Sequence, residues 1–285
     1  MRALPRTTAR RYVQPLREGG SLPAIVDTPD GLYVVKFRGA GQGPRALVAE
    51  LVVGQIAHAL GLPSPELAIV ELPEEFGRSE PDPEIQDLLR ASHGENVGLR
   101  FLDGAFNFET SAAGDLVTDE FASLVVWLDA FTTNPDRTHR NPNLLVWNRT
   151  PWLIDHGAAL YAHHNWAAVD DARTRSPFPL IEQHVLLRRG TALADADRHA
   201  VATLTADVCD AILAAVPDSL LATPEPPGHD IAEHPDALLT PDALRARYRS
   251  YLMRRIESPR AFVAEAQAAH ERVLAAPPRA VKARR

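Results

Sequence analysis

One cysteine, Cys209, in 285 residues leaves no partner for an internal disulfide and no basis for a multi-cysteine metal site. Its setting in an apolar helical stretch predicts a buried thiol rather than a reactive one. Long apolar runs are missing as well: no stretch approaches the roughly 20 continuous apolar residues needed to span a bilayer. The Arg-rich N-terminus lacks the apolar core of a secretion signal, so a cytoplasmic location with no membrane partner is expected. Positive charge is in deficit, 30 Lys and Arg against 37 Asp and Glu, and the net charge of -7 argues against broad nonspecific nucleic-acid binding. The locally basic end, residues 279–285, reads as a solvated tail. No internal repeat is found. What remains is 45% hydrophobic content over 285 residues, enough to bury one large domain or two lobes.

The pattern changes part-way along the chain. Residues 22–26 and 32–37 are short β-branched or aromatic runs around Asp27-Thr28-Pro29-Asp30-Gly31, a hairpin signature. Pro44 suits a first helical position and Gly61 with Pro63 a stop, so a helix is expected between them, entered through a flexible Gly39-Ala40-Gly41-Gln42-Gly43 connection. Residues 66–72 and 97–101 read as strands and residues 83–91 as a short helix. From Thr118 the period becomes helical, with Phe121, Leu124, Val125, Leu128 and Phe131 on one stripe. A second hairpin follows, 144–147 and 152–154, around residues 148–151. Everything later reads as α-helical, with Thr240 capping a helix that starts at Pro241, Ser258 and Pro259 opening another, and a Pro-rich linker over residues 217–235 before them. The expected architecture is α+β and bilobal, a β-rich lobe over residues 1–104 and a helical lobe over 105–285.

Between the stripe and the second hairpin lies Asn134-Pro135-Asp136-Arg137-Thr138-His139-Arg140-Asn141, and Asp155 follows Asp136 by nineteen residues. A hydroxyl that attacks a γ-phosphate needs a proton acceptor and a fixed line of approach, which makes Asp136 the candidate base or orienting group. Taken alone, Asn-Pro-Asp reads first as a turn, since each residue favours turns locally. Asn141 offers an amide oxygen of the hard kind that suits Mg2+, and Asp155 an anionic oxygen able to bridge the metal to nucleotide phosphates. Asp155 emerges from Trp152-Leu153-Ile154, where an unpaired carboxylate is costly unless it meets a cation or donors.

Lys36 sits within an apolar strand, and Glu50, fourteen residues later, on a weakly polar helix face; an ion pair satisfies both. The plain alternative for Lys36 is an edge-strand lysine whose ammonium reaches water. Gly19, Gly20 and Ser21 form a turn whose backbone N-H groups could approach phosphates, without Walker spacing. His163 and His164 have no acidic partner at a recognised metal-binding spacing, so exposure or helix capping is expected. Arg245, Arg247, Arg249, Arg254 and Arg255 lie mostly off their helix's apolar stripe and read as a solvated face rather than a nucleic-acid surface.

Tyr33-Val34-Val35-Lys36-Phe37, the Glu50 helix ending in Leu60-Gly61-Leu62-Pro63-Ser64-Pro65, and the run from Asp136 to Leu145 together resemble the HipA-like kinases, bacterial proteins akin to serine/threonine kinases. The resemblance covers roughly residues 12–160 and is loose beyond. It implies a two-lobed protein-kinase-like fold, ATP with Mg2+, Lys36 on the phosphates, Asp136 as catalytic aspartate, and Asn141 with Asp155 on the metal. A toxin role and an antitoxin partner are not carried over, although a regulatory partner protein is compatible with the family. Thr138 stands where many kinases have Lys or His, so a cation for the γ-phosphate must come from Arg140, His139 or Arg137. His156 stands where protein kinases usually have Phe. The resemblance implies transfer of the ATP γ-phosphate to a protein Ser/Thr hydroxyl. Alternatives are a small-molecule kinase of the aminoglycoside or choline type, which usually has His where this chain has Asn134, and a nucleotide-binding pseudokinase module.

Overall fold

A computed structural model describes residues 3–16, 22–41, 43–78, 80–222 and 239–276. The glycine turn with Gly19, Gly20 and Ser21, most of the Pro-rich linker and the basic tail lie outside the described residues. The first lobe comprises β1 (Arg6–Thr8), β2 (Arg11–Pro15), β3 (Ala24–Thr28), β4 (Gly31–Lys36), α1 (Gly43–Ala59), β5 (Leu67–Leu72), α2 (Pro83–Ala91) and β6 (Gly94–Arg100). Its strands form one sheet in the order β1-β5-β6-β4-β3-β2, antiparallel except where β1 lies parallel to β5. The expected hairpin is β3–β4, in which Thr28 pairs with Gly31 across Pro29 and Asp30. Gly31 takes a φ of 113°, a conformation that a side chain would resist.

Alternation along the strands explains why the central ones are buried on both faces. Leu67, Ile69, Val97 and Leu99 join the core that holds α1, whereas Ala68, Val70, Leu72, Tyr33 and Val35 join a second cluster with Leu89 of α2. The glycine-rich connection before α1 is tighter than a flexible link. A Cβ on Gly39 would come within 2.7 Å of the Ala91 side chain and 2.9 Å of its backbone, and the Gly39 N-H donates to Ser92. Helix α1 is buried without interruption from Leu47 to Ala57. One side meets the sheet, and the other meets α7 and α8 of the second lobe, a covering that its evenly apolar sequence requires.

The second lobe begins with β7 (Phe106–Asn107), α3 (Thr110–Ala113) and α4 (Asp119–Phe131), followed by β8 (Leu144–Trp147) and β9 (Thr150–Leu153), which form a small sheet in the order β7-β8-β9. Thr118 caps α4 by accepting from the Phe121 N-H at 3.1 Å. The α4 stripe is broader than its apolar periodicity: Trp127 and Asp129 are buried, whereas Phe121 and Leu124 are only partly so, because α6 and α10 pack on further sides. Residues 161–189 are not α-helical as expected. They form 3-10 turns, Tyr161–His164, Trp166–Ala168, Pro179–Gln183 and Leu187–Arg189, with one short helix α5 (Asp171–Thr174), in a stretch broken by Pro177, Pro179 and Gly190.

Then come α6 (Leu193–Thr203), α7 (Ala206–Ala214), α8 (Asp218–Leu221), α9 (Pro241–Ile256) and α10 (Ala261–Ala275). Helix α8 occupies the start of the stretch expected as linker. Thr240 caps α9 as expected, but α10 starts at Ala261 behind Arg260 rather than at Pro259. Cys209 is buried on α7, and burial pushes its thiol up to about 11. The whole is an α+β arrangement of a sheet-based first lobe and a largely helical second lobe. Among the described residues no helix is long and apolar enough to cross a membrane.

Candidate functional site

Strand β4 ends at Lys36, whose neighbours Val35 and Phe37 are core residues, so its ammonium has little access to water. The expected partner is there: Lys36 Nζ donates to Glu50 Oε2 at 2.7 Å and to Asp155 Oδ1 at 2.6 Å. Burial works against the Lys36 charge, but the two carboxylates outweigh it and hold the pKa above the usual lysine value. Burial likewise works against the Asp155 charge, and Lys36 reverses that, so the carboxyl sits below its usual range. Glu50 Oε2 also accepts from the His156 N-H at 2.8 Å, which fixes the residue after Asp155 to α1.

The loop after α4 carries the other candidate carboxylate. Asp136 Oδ2 accepts from Asn141 Nδ2 at 2.8 Å and from Asn143 Nδ2 at 3.0 Å, and the Asp136 N-H donates to Asn134 Oδ1 at 3.1 Å. With its NH2 turned to Asp136, Asn141 keeps its amide oxygen for another partner. Asn143 was not anticipated; the signal was a second asparagine in Asn141-Pro142-Asn143. The two loops meet through the backbone, where the Ile154 N-H donates to the Asn143 carbonyl at 3.1 Å. Thr133, Asn143, Asp155 and Leu160 all adopt positive φ, 54°, 48°, 56° and 57°, in these two loops. Such conformations persist only where the surroundings over-determine them, and they gather at functional sites.

Beneath the loops is a buried network that the sequence did not advertise. Asp129 of α4 accepts from Arg137 Nε at 2.6 Å, Asn134 Nδ2 at 3.0 Å and His184 Nε2 at 2.9 Å. Because His184 Nδ1 accepts from the Leu186 N-H at 3.1 Å, its proton is on Nε2 and the ring is neutral, in line with a pKa lowered chiefly by burial. Burial raises the Asp129 pKa, but Arg137 and His184 drive it far below the carboxylate range. The same guanidinium reaches the Asn143 carbonyl, the Ile154 carbonyl at 3.3 Å and His156 Nδ1 at 3.3 Å. Arg137 is therefore not available as a phosphate-binding cation: it is 1% exposed and ties the Asp136 loop to the Asp155 loop.

A family model described as HipA-like kinase matches residues 11–212, more than half of the chain. The chain belongs to the HipA-like kinase family. The match runs well beyond Leu160, where the sequence resemblance was expected to fade. Among solved structures, the Helicobacter pylori proinflammatory kinase CtkA is similar, with a TM-score of 0.52 and 12% identity, covering 93% of this chain and 97% of that one. At that identity the likeness speaks to the fold alone. No curated protein matches the sequence.

The activity of this HipA-like kinase is accordingly phosphotransfer of the kinase type, and the donor set can be tested against the metal such chemistry uses. Among the described residues no group of three or more His, Cys, Asp or Glu side chains is arranged to hold a metal ion by itself. Mg2+ at kinase sites is held by one or two carboxylates together with phosphate and water rather than by an all-protein cage. Asp155, with 43% of its side chain exposed, and the Asn141 amide oxygen supply hard donors of that kind. Arg140 is exposed and makes no hydrogen bond or ion pair among the described residues, and His139 is exposed beside it. His163 is neither exposed nor a cap: it is fully buried, with Nδ1 at 2.9 Å from the Tyr248 hydroxyl, while His164 is exposed. The arginines of α9 are engaged within the chain, Arg247 with the Trp166 carbonyl, Arg249 with Asp210, Arg254 with Asp171 and Arg245 with Asp218.

Proposed function

We propose that this kinase transfers the γ-phosphate of ATP, with Mg2+, to a Ser or Thr hydroxyl of a protein. The observation that carries the proposal is the placement of two carboxylates in different settings on adjoining loops, Asp136 held by two amides and Asp155 held by a lysine from the other lobe. Asp136 keeps one oxygen occupied by Asn141 and Asn143, so its other oxygen can accept the hydroxyl proton while the amides fix its direction. Lys36, held by Glu50, turns from Asp155 toward the α- and β-phosphates when nucleotide enters. Asp155 and Asn141 would hold the metal, which would supply neutralisation of phosphate charge. Arg140, exposed, offers the cation for the γ-phosphate that neither Thr138 nor Arg137 provides.

The proposal is tested by incubating the protein with MgATP and Ser/Thr peptides, beside an Asp136→Ala control, and weighing chain and peptides by mass spectrometry. A gain of about 80 Da on a Ser or Thr that disappears in the control is the expected result. Phosphate gained only by added amino-sugars or amino-alcohols would replace the protein acceptor with a small molecule. ATP bound but never cleaved in any of these mixtures would overturn the proposal.

A further inference from the structure

Arg255, expected on a solvated face of α9, is 2% exposed, and the reason lies at the end of α4. A helix leaves its last four carbonyls without intrahelical partners, and a buried end must find partners for them. For α4 all four are accounted for. The Leu128 carbonyl accepts from the Thr132 N-H at 2.9 Å and its hydroxyl at 2.8 Å, and the Asp129 carbonyl from the Asn134 N-H at 2.8 Å. The other two are taken by a residue distant in sequence: Arg255 Nη2 donates to the Ala130 carbonyl at 2.9 Å and Arg255 Nε to the Phe131 carbonyl at 2.7 Å. Its remaining nitrogen, Nη1, donates to the Thr174 carbonyl at 2.6 Å and the Ser176 carbonyl at 3.3 Å.

No carboxylate pairs with this guanidinium among the described residues. Its charge is met by four carbonyl dipoles, two of them at the negative end of α4, and by the rings of Tyr251 and Phe262 at 5.7 Å and 5.0 Å. A buried cation without a counter-ion is a costly device, and one fork joins two things: the end of the helix that runs into the Asp136 loop, and the turn at 174–176 in the segment after Asp155. Four residues separate Phe131 from Asp136, and the carbonyl of one of them, Thr132, accepts from the Leu160 N-H at 2.6 Å.

We propose that Arg255 is a positioning residue for phosphotransfer, fixing the exit of α4 and thereby the aim of the Asp136 carboxylate relative to the 174–176 turn. The proposal rests on Asp136 as the group that orients the acceptor hydroxyl. Arg255→Met keeps the apolar stem and removes every donor; Arg255→Lys keeps the charge but cannot span both carbonyl pairs. Hydrogen exchange of the full chain should quicken at least about ten-fold at Asn134 and Leu160 in Arg255→Met while the amides of β5 and β6 keep their protection. The kcat should fall about 100-fold with the KM for MgATP changed less than about three-fold, since misplacement by an ångström costs on that order. Arg255→Lys should recover part of both, and it serves alone if Arg255→Met does not fold. Unchanged exchange at Asn134, or faster exchange with kcat intact, overturns the positioning role. Faster exchange in a protein whose parent transfers no phosphate leaves the loop-fixing role standing and removes instead the assignment of Asp136.

Discussion

Asp155 and Asp129 each meet a basic nitrogen at 2.6 Å, Lys36 Nζ for the first and Arg137 Nε for the second, yet the two clusters are built on opposite plans. Asp155 shares one ammonium with Glu50, so two carboxylates face a single positive charge, and 43% of its side chain is open. Glu50 Oε1 is buried with no hydrogen-bond partner among the described residues. Asp129 has no exposed side-chain surface and receives Arg137, His184 and Asn134, three donors to one carboxylate. The difference teaches that pair distance does not separate a site from a scaffold. Completeness does: both oxygens of the Asp129 carboxylate are taken by donors, whereas the Asp155 cluster keeps negative charge and open surface.

The comparison breaks first on stability. Asp129→Ala strands the buried Arg137 charge and should lower the unfolding free energy by about 3–5 kcal/mol in urea titrations. Asp155→Ala, at a partly exposed pair whose lysine keeps Glu50, should cost about 1 kcal/mol or less while abolishing phosphotransfer. Equal losses for the two would show that both are scaffold.

Acid sharpens it next. Burial first of all holds His156 down, from 6.5 to about 4, and it also lowers His163 and His184. Each folded-state pKa lies below the unfolded value, so the unfolded chain takes up protons first as pH drops. The stability from neutral histidines is full above pH 6.5 and is lost as pH falls toward 4, about 3 kcal/mol for the His156 shift. Melting curves across that window should show the fall, and His156→Phe should flatten it by about one proton's share. A slope identical in that variant would contradict a neutral His156. The smallest effect on stability belongs to Arg140, exposed and without an ion pair among the described residues. Arg140→Ala should move the unfolding free energy by less than about 0.5 kcal/mol. The rate of phosphate transfer should nevertheless fall about ten-fold, and an unchanged rate would leave the γ-phosphate cation to His139.

Much of the open cluster shows in the sequence, because each member breaks a local rule: lysine inside an apolar strand, glutamate on a largely apolar helix, aspartate after an apolar run. The closed cluster does not. Asp129 falls off the stripe of Phe121, Leu124, Val125, Leu128 and Phe131, and a charged residue off the stripe reads as solvent-facing unless packing from α6 and α10 is known. Arg137 and Arg255 misled for the same reason. An arginine in a loop or on a polar helix face looks free until the carbonyls it caps, many residues away, are placed around it. The 3-10 turns over residues 161–189 escaped too, since their backbone partners are decided by what lies beneath them rather than by period.

By itself the sequence determined the hairpins, α1, α2, α4, the capped start of α9 and the spacing of Lys36, Glu50, Asp136, Asn141 and Asp155, all matters of local pattern within a few tens of residues. Only the tertiary structure decided which charges are open and which are closed. Burial and hydrogen-bond completion are sums over neighbours from the whole chain, and no local window contains them.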